Sequence, residues 1–392
     1  MADWTTATNI LCVRLDTIGD VIMTTPAMRA LKASVPGRRI TLLTSSAGAA
    51  IAPLVPVDDL IVYDSPWLKA TAPRINSAPE LAMIEQLRQA RFDAAVIFTV
   101  YSQNPLPSAF LCYMADIPLR LAHCHENPYQ LLTDWIKDPE PETEIRHEVR
   151  RQLDLVAHVG STLEDESMSL TVIPAARQRV QSLLTEVGIQ LDRPWVVIHP
   201  GATAPSRRYP PEKFAIAARH LSELRIQVVF TGTQPEQGLV ESIRRDMDMP
   251  SVSLVDRLTL AELTALLAIA PLLISNNTGP VHMAAAVGTS VVDLYALTNP
   301  QHTPWGVPNR VLFHDVPCRI CYKSICPEVH HHCLRLVEPE SVVQAALELL
   351  QDSQPERASA LGNDPLSLIR PHVSNPLTDM PLPMSAVPSS LS

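Results

Sequence analysis

Short apolar runs alternate with helical stretches along most of the chain, and the alternation comes in two successive series. In the first series the apolar runs are 10–13, 40–45, 60–64 and 92–100. In the second series they are 195–201, 226–232, 251–256, 271–279 and 290–296. Runs this short are typical of parallel strands that helices cover on both faces of a sheet. The two series therefore predict an α/β protein with two Rossmann-like domains.

The domain boundaries follow from the stretches between and after the two series. The predicted N-terminal domain covers residues 1–173, and the predicted C-terminal domain covers residues 174–350. Helices that bridge or close these domains are predicted over 148–159, 175–187 and 339–350. The stretch 351–392 holds seven Pro and many Ser with little periodicity, so we expect a disordered Pro-rich tail.

Composition and charge exclude several classes of protein. The formal net charge is -10, which argues against broad nucleic-acid binding because that requires a basic surface. No apolar run approaches the roughly 18 residues of a membrane span, and the N-terminus lacks the pattern of a secretory signal. The seven Cys form an odd and partly scattered set, which suits a reducing compartment. We therefore expect a cytoplasmic, globular protein.

The loop that follows the first predicted strand carries candidate site residues. Ligands of doubly wound sheets bind beyond the carboxyl ends of the strands, and this loop contains Thr17, Gly19 and Asp20. Gly19 is expected to allow a tight turn. Asp20 has two interpretations, as a helix N-cap or as a reactive group that faces the crevice between the domains. The loop matches neither the GxGxxG nor the GxxxxGK pattern, so dinucleotide and P-loop nucleotide sites lose their main support.

Charged pairs in the second series allow further interpretations. Arg207 and Arg208 follow the strand at 195–201, where a guanidinium either pairs with a diphosphate or belongs to a solvated loop. The DMD motif at 246–248 has the residue types of a divalent-metal site. Because it lies at a predicted helix end and not after a strand, its position argues against a metal-binding role.

The segment SNNTGPVH points to an anion site. Asn277, Thr278 and Gly279 end a predicted strand and open a helix, whose first backbone amides and dipole favour negative charge. The side chains of Asn277 and Thr278 are expected to add hydrogen-bond donors. His282 lies one turn into the helix on the same side, either as part of the site or as a buried core residue.

Four of the seven cysteines fall within sixteen residues, in the spacing C-x2-C-x4-C-x6-C. They are Cys318, Cys321, Cys326 and Cys333, and three His occupy 330–332. Four thiolates at short spacing could hold a structural Zn or Fe ion. Free or redox-active thiols are the alternative, and the spacing alone leaves both open.

Taken in their order and spacing, these motifs resemble glycosyltransferase family 9, the ADP-heptose:lipopolysaccharide heptosyltransferases. The segments that carry the resemblance are RLDTIGDVIMTTPAMRALK, HPGATAPSRRYPPEKF, FTGTQPEQ, SNNTGPVHMAAAVGTSVV, and ALTNPQHTPWG with the Cys segment after it. The resemblance extends from about residue 9 to residue 350.

The resemblance implies a GT-B fold, in which two Rossmann-like domains face a deep cleft. The N-terminal domain would bind the acceptor and the C-terminal domain the nucleotide sugar. The general base proposed for the family matches Asp20, in a loop whose Thr17 and Gly19 lie on the acceptor side. The family's diphosphate-binding Lys falls on Arg207, and its donor-site acid falls on Glu236.

Among the remaining donor-binding positions, one residue differs from the family pattern, Asn277. The Asp-Thr-Gly of some members is Asn277-Thr278-Gly279 in this chain, followed by His282. The Asn keeps hydrogen-bonding capacity but loses the charge. ADP-heptose is still the donor that the resemblance implies, with a saccharide of lipopolysaccharide or another surface glycan as the acceptor.

The implied reaction is an inverting transfer that requires no divalent metal. Asp20 would accept the proton of the acceptor hydroxyl, while Arg207 and the helix start at Thr278 would stabilise the departing diphosphate. A Zn or Fe ion at the four cysteines would then have a structural role. Acceptors on lipid carriers would bring the protein into peripheral contact with the inner membrane.

Two alternatives remain open at this point. Another GT-B sugar-nucleotide enzyme, such as an epimerase, would need no acceptor. A metal- or redox-responsive binding protein built on a transferase scaffold would need no catalytic base, and the presence of Asp20 argues against it.

Overall fold

The computed structural model describes residues 3–68, 71–318 and 320–353. These residues form two six-stranded sheets, and the strand pairs in both sheets are parallel. Helices surround both sheets, so the predicted α/β class with two Rossmann-like units is confirmed.

The N-terminal half consists of the first sheet and its helices. Its strands are β1 (Asn9–Val13), β2 (Arg39–Thr44), β3 (Asp59–Val62), β4 (Ala94–Ile97), β5 (Leu119–Cys124) and β6 (Asp134–Lys137). Its helices are α1 (Ile18–Ser34), α2 (Ser46–Ala49), α3 (Ala78–Ala90), α4 (Leu106–Met114) and α5 (Glu148–Ala157).

The C-terminal half consists of the second sheet and its helices. Its strands are β7 (Trp195–His199), β8 (Gln227–Phe230), β9 (Val252–Ser253), β10 (Leu272–Asn276), β11 (Ser290–Leu294) and β12 (Asn309–Leu312). Its helices are α6 (Pro174–Glu186), α7 (Pro211–Glu223), α8 (Gln237–Met247), α9 (Leu260–Ile269), α10 (Gly279–Ala286), α11 (His332–Arg335) and α12 (Pro339–Ser353).

The strand order is the same kind of doubly wound order in both halves. The first sheet runs β3-β2-β1-β4-β5-β6 and the second runs β12-β11-β10-β7-β8-β9. In such sheets the chain order reverses between two central strands, here β1 and β4 or β7 and β10, and ligands bind at the carboxyl ends near that reversal. The loops after β1, β7 and β10 are therefore the places to look for a site.

The division of the chain proposed from the sequence falls between α5 and α6. The last helix ends at Ser353, three residues beyond the predicted boundary at 350. The rest of the predicted Pro-rich tail, 354–392, lies outside the described residues. Among the described helices, none combines the length and apolar character needed to span a bilayer.

Three strands were not predicted from the sequence, namely β5, β6 and β12. Strand β5 is fully buried but contains Arg120 and His123, which interrupt the apolar pattern. Arg120 donates hydrogen bonds to backbone carbonyl groups, and the Nε2 atom of His123 lies 3.1 Å from the Arg151 carbonyl oxygen. Strands β6 and β12 lie at sheet edges and are only partly buried, so their residues show no continuous apolar run.

One buried apolar cluster contains residues from both halves. Helix α1 packs against α5 and α10, and α6 packs against α9. The buried cluster contains Val21 and Ile22 of α1 together with Val281 of α10. Burying each such side chain contributes about 1.5–3 kcal/mol to the stability of the fold. This packing holds the start of α1 close to α10.

Candidate active site

The loop after β1 places Thr17 and Asp20 at the start of α1. Thr17 is the N-cap and Asp20 is the third helical residue, so the two form a capping box. The Asp20 Oδ2 atom accepts a hydrogen bond from the Thr17 N–H at 3.1 Å and one from the Thr17 hydroxyl at 2.8 Å. The interpretation of Asp20 as the N-cap is therefore wrong, because Thr17 holds that position and Asp20 completes the box.

Gly19 is the point at which the two halves meet beside Asp20. A Cβ atom at this position would lie 2.8 Å from the Cδ2 atom of His282 in α10, closer than real Cβ atoms approach. Gly19 lies within α1 and its φ angle is not positive, so the expected tight turn is wrong. The residue must be small because the imidazole of His282 occupies the space of a side chain.

The charge state of Asp20 is set by its neighbours. Its Oδ1 atom accepts a hydrogen bond from Arg14 Nη2 at 3.1 Å. Burial alone would raise the pKa of Asp20, but the charge of Arg14 and the hydrogen bonds from Thr17 outweigh burial and hold the pKa below its usual value. Asp20 is therefore a carboxylate at neutral pH, which is the form that can accept a proton.

A second carboxyl group, Asp16, lies next to this pair. Its Oδ2 atom is 3.0 Å from Arg14 Nε, and its Oδ1 atom accepts a hydrogen bond from Gln103 Nε2 at 2.6 Å. Burial raises the pKa of Asp16 to about 6, assisted by the carboxylates of Asp20 and Glu148 and opposed by Arg14 and the Gln103 hydrogen bond. Asp16 also lines a cavity of about 280 Å³ with Trp67, Gln103 and Asn104. Aromatic and amide side chains of this kind suit a sugar ring and its hydroxyl groups.

The start of α10 lies across from Asp20 and carries the predicted anion site. Thr278 is the N-cap of α10, and the Nη1 atom of Arg207 lies 3.5 Å from the Asn277 carbonyl oxygen. A Cβ atom at Gly279 would meet no other atom within 4 Å, so the helix start has open space beside it. The structure thus brings Arg207 to the helix start that was predicted separately.

The side chain of Asn277 is engaged within the protein. Its Nδ2 atom donates to Asp293 Oδ2 at 3.0 Å and to the His302 carbonyl oxygen at 3.1 Å. Both hydrogens of the amide are therefore used, and Asn277 does not offer its side-chain donors to a ligand. Instead it fixes the start of α10 relative to β11 and the segment that contains His302.

Asp293 is a site residue that sequence reasoning missed. It is fully buried in β11, and burial raises its pKa to about 7 against the lowering effects of Asn277 and Arg207. The available signal was an acidic residue inside the apolar run 290–296. Its environment favours the neutral acid, so Asp293 cancels little of the charge of Arg207 near pH 6.

Two histidines near Asp20 are neutral. Burial lowers the pKa of His282 to about 3, and burial also lowers the pKa of His302. The Nδ1 atom of His282 has no hydrogen-bond partner among the described residues. His282 therefore acts through its neutral ring, which contacts Gly19 and leaves a nitrogen free for another partner.

Glu236 lies in a second cavity, of about 350 Å³, at the carboxyl ends of the second sheet. Its Oε2 atom accepts from the Thr233 N–H at 2.7 Å and the Thr233 hydroxyl at 2.9 Å, again as a capping box. A Cβ atom at Gly201 would clash with the Glu236 carboxylate, so this glycine gives the carboxylate its room. Arg208 and His331 line the same cavity, so its wall contains a carboxylate, a guanidinium and an imidazole.

The four clustered cysteines face one small cavity of about 10 Å³ that His330 also lines. The Sγ atom of Cys318 lies 3.9 Å from His330 Nε2. Within the described ranges, no group of three or more His, Cys, Asp or Glu side chains has the geometry of a metal site. The donor atoms suit a thiophilic ion by their chemistry, but the sulfur atoms would have to move together to bind one.

The DMD motif at 246–248 lies at the end of α8, and Asp248 adopts the left-handed conformation of a helix C-cap. The motif therefore lies at a helix end and not in a loop that follows the carboxyl end of a strand. The structure thus agrees with the interpretation of this motif as a helix end.

The family model and two relatives of this chain are all described as heptosyltransferases. The sequence model of the family described as glycosyltransferase family 9 (heptosyltransferase) matches residues 81–332. A lipooligosaccharide heptosyltransferase 2 of Campylobacter jejuni is 30% identical over 162 residues, which are 40% of this chain and 51% of that protein. The chain thus spans about half the length of this relative. A lipopolysaccharide heptosyltransferase 2 of Escherichia coli is 24% identical over 353 residues, 87% of this chain and 98% of that protein.

Solved structures show the same fold. A glycosyl transferase family 9 protein from Veillonella parvula has a TM-score of 0.73 at 22% identity, covering 90% of this chain and 99% of that one. The E. coli ADP-heptose lps heptosyltransferase II has a TM-score of 0.68 at 22% identity, covering 88% and 99%. The two-sheet arrangement of this chain is therefore the GT-B architecture that these proteins share.

Proposed function

Because the chain belongs to glycosyltransferase family 9, the heptosyltransferases, we propose that it transfers heptose from ADP-heptose to a saccharide of lipopolysaccharide or another surface glycan. The observation that carries this proposal is the contact between Gly19 and His282. It places the carboxylate of Asp20 beside the helix start that suits a diphosphate. A base and a leaving-group site next to each other are what the transfer of a sugar requires.

In the proposed reaction, Asp20 is the general base. The acceptor hydroxyl oxygen attacks the anomeric carbon of the heptose, and its proton passes to the Asp20 carboxylate. The bond from the anomeric carbon to the diphosphate oxygen breaks on the opposite face, so the configuration inverts. The lowered pKa of Asp20 keeps it ionised before the reaction, and proton transfer of this kind accelerates a reaction by about 10²–10⁴-fold.

The departing ADP gains negative charge, and two groups are placed to stabilise it. They are the Arg207 guanidinium at the start of α10 and the N–H of Gly279, the first residue of that helix. The next two positions add no free amide, because Pro280 has no N–H and the Val281 N–H donates to the Thr278 carbonyl oxygen at 3.0 Å. Preorganised donors of this kind contribute about 3 kcal/mol each to transition-state stabilisation. This charge compensation supports a reaction that needs no divalent metal.

The nucleotide would occupy the cavity of about 350 Å³ in the C-terminal half. Glu236 presents a carboxylate that can accept hydrogen bonds from ribose hydroxyl groups, and Arg208 supplies positive charge. The acceptor would occupy the cavity of about 280 Å³ in the N-terminal half, which Asp16 and Trp67 line. These assignments give residues 1–173 the acceptor and residues 174–350 the donor.

A structural Zn or Fe ion at Cys318, Cys321, Cys326 and Cys333 is a further part of the proposal. The four side chains share one cavity, and thiolates are the preferred ligands of both ions. When bound, the ion would cross-link the segment without taking part in the transfer. We also propose that the protein acts in the cytoplasm and meets lipid-linked acceptors at the inner face of the inner membrane.

A thermal-shift screen followed by a transfer assay tests this function. A nucleotide sugar at 100 times its dissociation constant stabilises the folded protein by about 2.7 kcal/mol, and ADP-heptose is expected to exceed UDP- and GDP-sugars. Release of ADP from ADP-heptose should then depend on added lipooligosaccharide from a heptose-deficient strain. Turnover without any acceptor would favour an epimerase, and stabilisation by metals alone would favour a binding protein.

The donor site is tested by Arg207→Ala. Because the lost contact is to phosphate, binding of ADP-heptose and ADP should weaken at least tenfold, whereas binding of adenosine should change little. Arg245→Ala, which removes an exposed arginine of α8, is the matched control and should leave all three affinities unchanged. Equal losses for ADP and adenosine would remove Arg207 from the phosphate site.

A further inference from the structure

Arg14 is the centre of a buried charged cluster beside Asp20. Its side chain is fully buried, and each of its three nitrogen atoms faces a carboxylate. The distances are 3.1 Å from Nη2 to Asp20 Oδ1, 3.0 Å from Nε to Asp16 Oδ2 and 2.8 Å from Nη1 to Glu148 Oε1. One guanidinium therefore sets the relative positions of three carboxylates.

The geometry makes this cluster rigid on one side. A guanidinium is planar, so its nitrogen atoms cannot move independently of one another. Glu148 is fully buried, and its Oε1 atom also accepts a hydrogen bond from Gln152 Nε2 at 2.7 Å. The side chain of Asp20, by contrast, is 20% exposed. Arg14 thus connects a buried, hydrogen-bonded carboxylate to the partly exposed carboxylate that is the proposed base.

The same cluster reaches into the C-terminal half. The Oε2 atom of Glu148 accepts a hydrogen bond from Gln301 Nε2 at 3.4 Å. The preceding residue, His147, has its Nε2 atom 2.9 Å from the Thr303 carbonyl oxygen. Between these two contacts lies His302, whose carbonyl oxygen accepts from Asn277 at the start of α10. A continuous set of contacts therefore joins the diphosphate site to the base.

We propose that Arg14 and Glu148 are positioning residues, which hold Asp20 in the orientation for proton transfer and tie that orientation to the 300–303 segment of the C-terminal half. Neither residue contacts the substrate in this proposal. The proposal rests on the proposed function, because it takes Asp20 to be the base.

The effect of these residues on Asp20 can be predicted from the surrounding charges. The ionisable groups that interact with Asp20 are Arg14, Asp16, His282 and His302. Glu148, His147 and Arg207 interact in turn with these four groups. Replacing Glu148 by Gln removes one negative charge from Arg14, so the guanidinium then stabilises the remaining carboxylates more strongly. The acid limb of the pH–rate profile should therefore move to lower pH.

Two variants test the proposal, with Arg29→Lys as the matched control. Arg29 lies in α1 and pairs with Asp165 at the surface. Arg14→Lys keeps the charge and loses the planar fork, and Glu148→Gln keeps the shape and loses the charge. For each, kcat, KM for ADP-heptose, the dissociation constant of ADP and the pH–rate profile are measured with lipooligosaccharide as acceptor.

We expect Arg14→Lys to lower kcat by 10- to 100-fold with the ADP dissociation constant within twofold of wild type. Glu148→Gln should lower kcat and move the acid limb by about half a pH unit or more. If Arg14→Lys does not fold, the Glu148→Gln result decides alone. Wild-type kcat and an unmoved acid limb in folded Glu148→Gln would overturn the proposal. Inactive wild-type protein would instead contradict the proposed function.

Discussion

In the proposed reaction, the carboxylate of Asp20 has both a structural and a chemical role. Its Oδ2 atom completes the capping box with Thr17, while its Oδ1 atom pairs with Arg14. A carboxylate in the first turn also interacts favourably with the helix dipole. These bonds stabilise the ionised form and leave the carboxylate beside His282 of α10 in the C-terminal half.

Substituting Asp20 by Asn separates the two roles. The amide oxygen can still accept the hydrogen bonds from Thr17, but the side chain can no longer take up a proton. We expect transfer to fall by at least about 100-fold and donor affinity to stay within about twofold. Asp165→Asn, at an exposed acid, is the control. Transfer within tenfold of wild type would mean that Asp20 serves only the helix.

The raised pKa of Asp293 predicts that the free energy of unfolding depends on pH. Its pKa is about 7 in the folded protein and near 3.8 in the unfolded chain. Between these values the folded state binds more protons than the unfolded state, so the free energy of unfolding decreases as pH rises. Asp293→Asn removes this dependence and keeps an acceptor for Asn277. Between about pH 4 and pH 7, wild type should therefore lose about 4 kcal/mol of unfolding free energy that the variant keeps.

Urea unfolding at pH 5 and pH 8 measures this difference. The advantage of Asp293→Asn should be largest at pH 8, and Asp256→Asn, at an exposed position, should show no such trend. Parallel pH curves for wild type and Asp293→Asn would contradict the prediction.

At the scale of elements, the segment with the four cysteines contacts the loop that carries Arg207, which the sequence did not indicate. The Ser206 N–H donates to the Ser324 carbonyl oxygen at 3.1 Å, and His331 Nε2 lies 2.6 Å from the Ser206 carbonyl oxygen. Tyr322 also contacts the N-terminal half through a hydroxyl–hydroxyl distance of 2.8 Å to Tyr101. Ser206 precedes Arg207, so the segment supports the loop that carries this cation.

The metal prediction belongs to this segment. Protein purified without affinity-column metals should contain about one Zn or Fe ion per chain, because four thiols in a reducing compartment favour metal over disulfide. Removing the ion should lower the melting temperature and, through Ser206, weaken ADP binding as well.

Elemental analysis, with Cys318→Ser/Cys321→Ser as the paired variant, decides the matter. The variant should lose the metal while keeping the same two sheets by circular dichroism. Wild-type protein with no Zn or Fe and four titratable thiols would rule out the site and leave redox-active or free thiols.

At the scale of the whole molecule, the two halves are joined by packing around α1, α5 and α10. Trp305 of the C-terminal half adds to this contact, with its ring centroid 4.5 Å from that of His147 and its Nε1 atom donating to the Glu166 carbonyl oxygen at 2.9 Å. The described residues up to Ser353 contain both sheets and every site residue named above.

Truncation after Asp352 tests whether the remaining segment contributes to this assembly. The Pro- and Ser-rich composition of 353–392 predicts little buried surface. The melting temperature should therefore change by less than about 2 °C, and transfer activity should be unchanged. A large fall in either quantity would show that the segment docks on the folded part.

The sequence by itself determined the fold class, because strand and helix patterns depend on neighbouring residues. The alternating apolar runs predicted both series of strands, and the local motifs predicted Thr17, Asp20, Arg207 and the start of α10. The edge strands β6 and β12 and the buried polar strand β5 were not predicted, since their burial depends on residues distant in the sequence.

Only the tertiary structure decided which residues form the site together. Arg14 and Glu148 are separated by 134 positions, and Glu148 and Gln301 by 153. No periodicity within a strand or helix encodes contacts of that range, because they arise from the packing of α1 against α5 and α10. For the same physical reason, the sequence showed that Gly19 is small but not that His282 fills the space beside it.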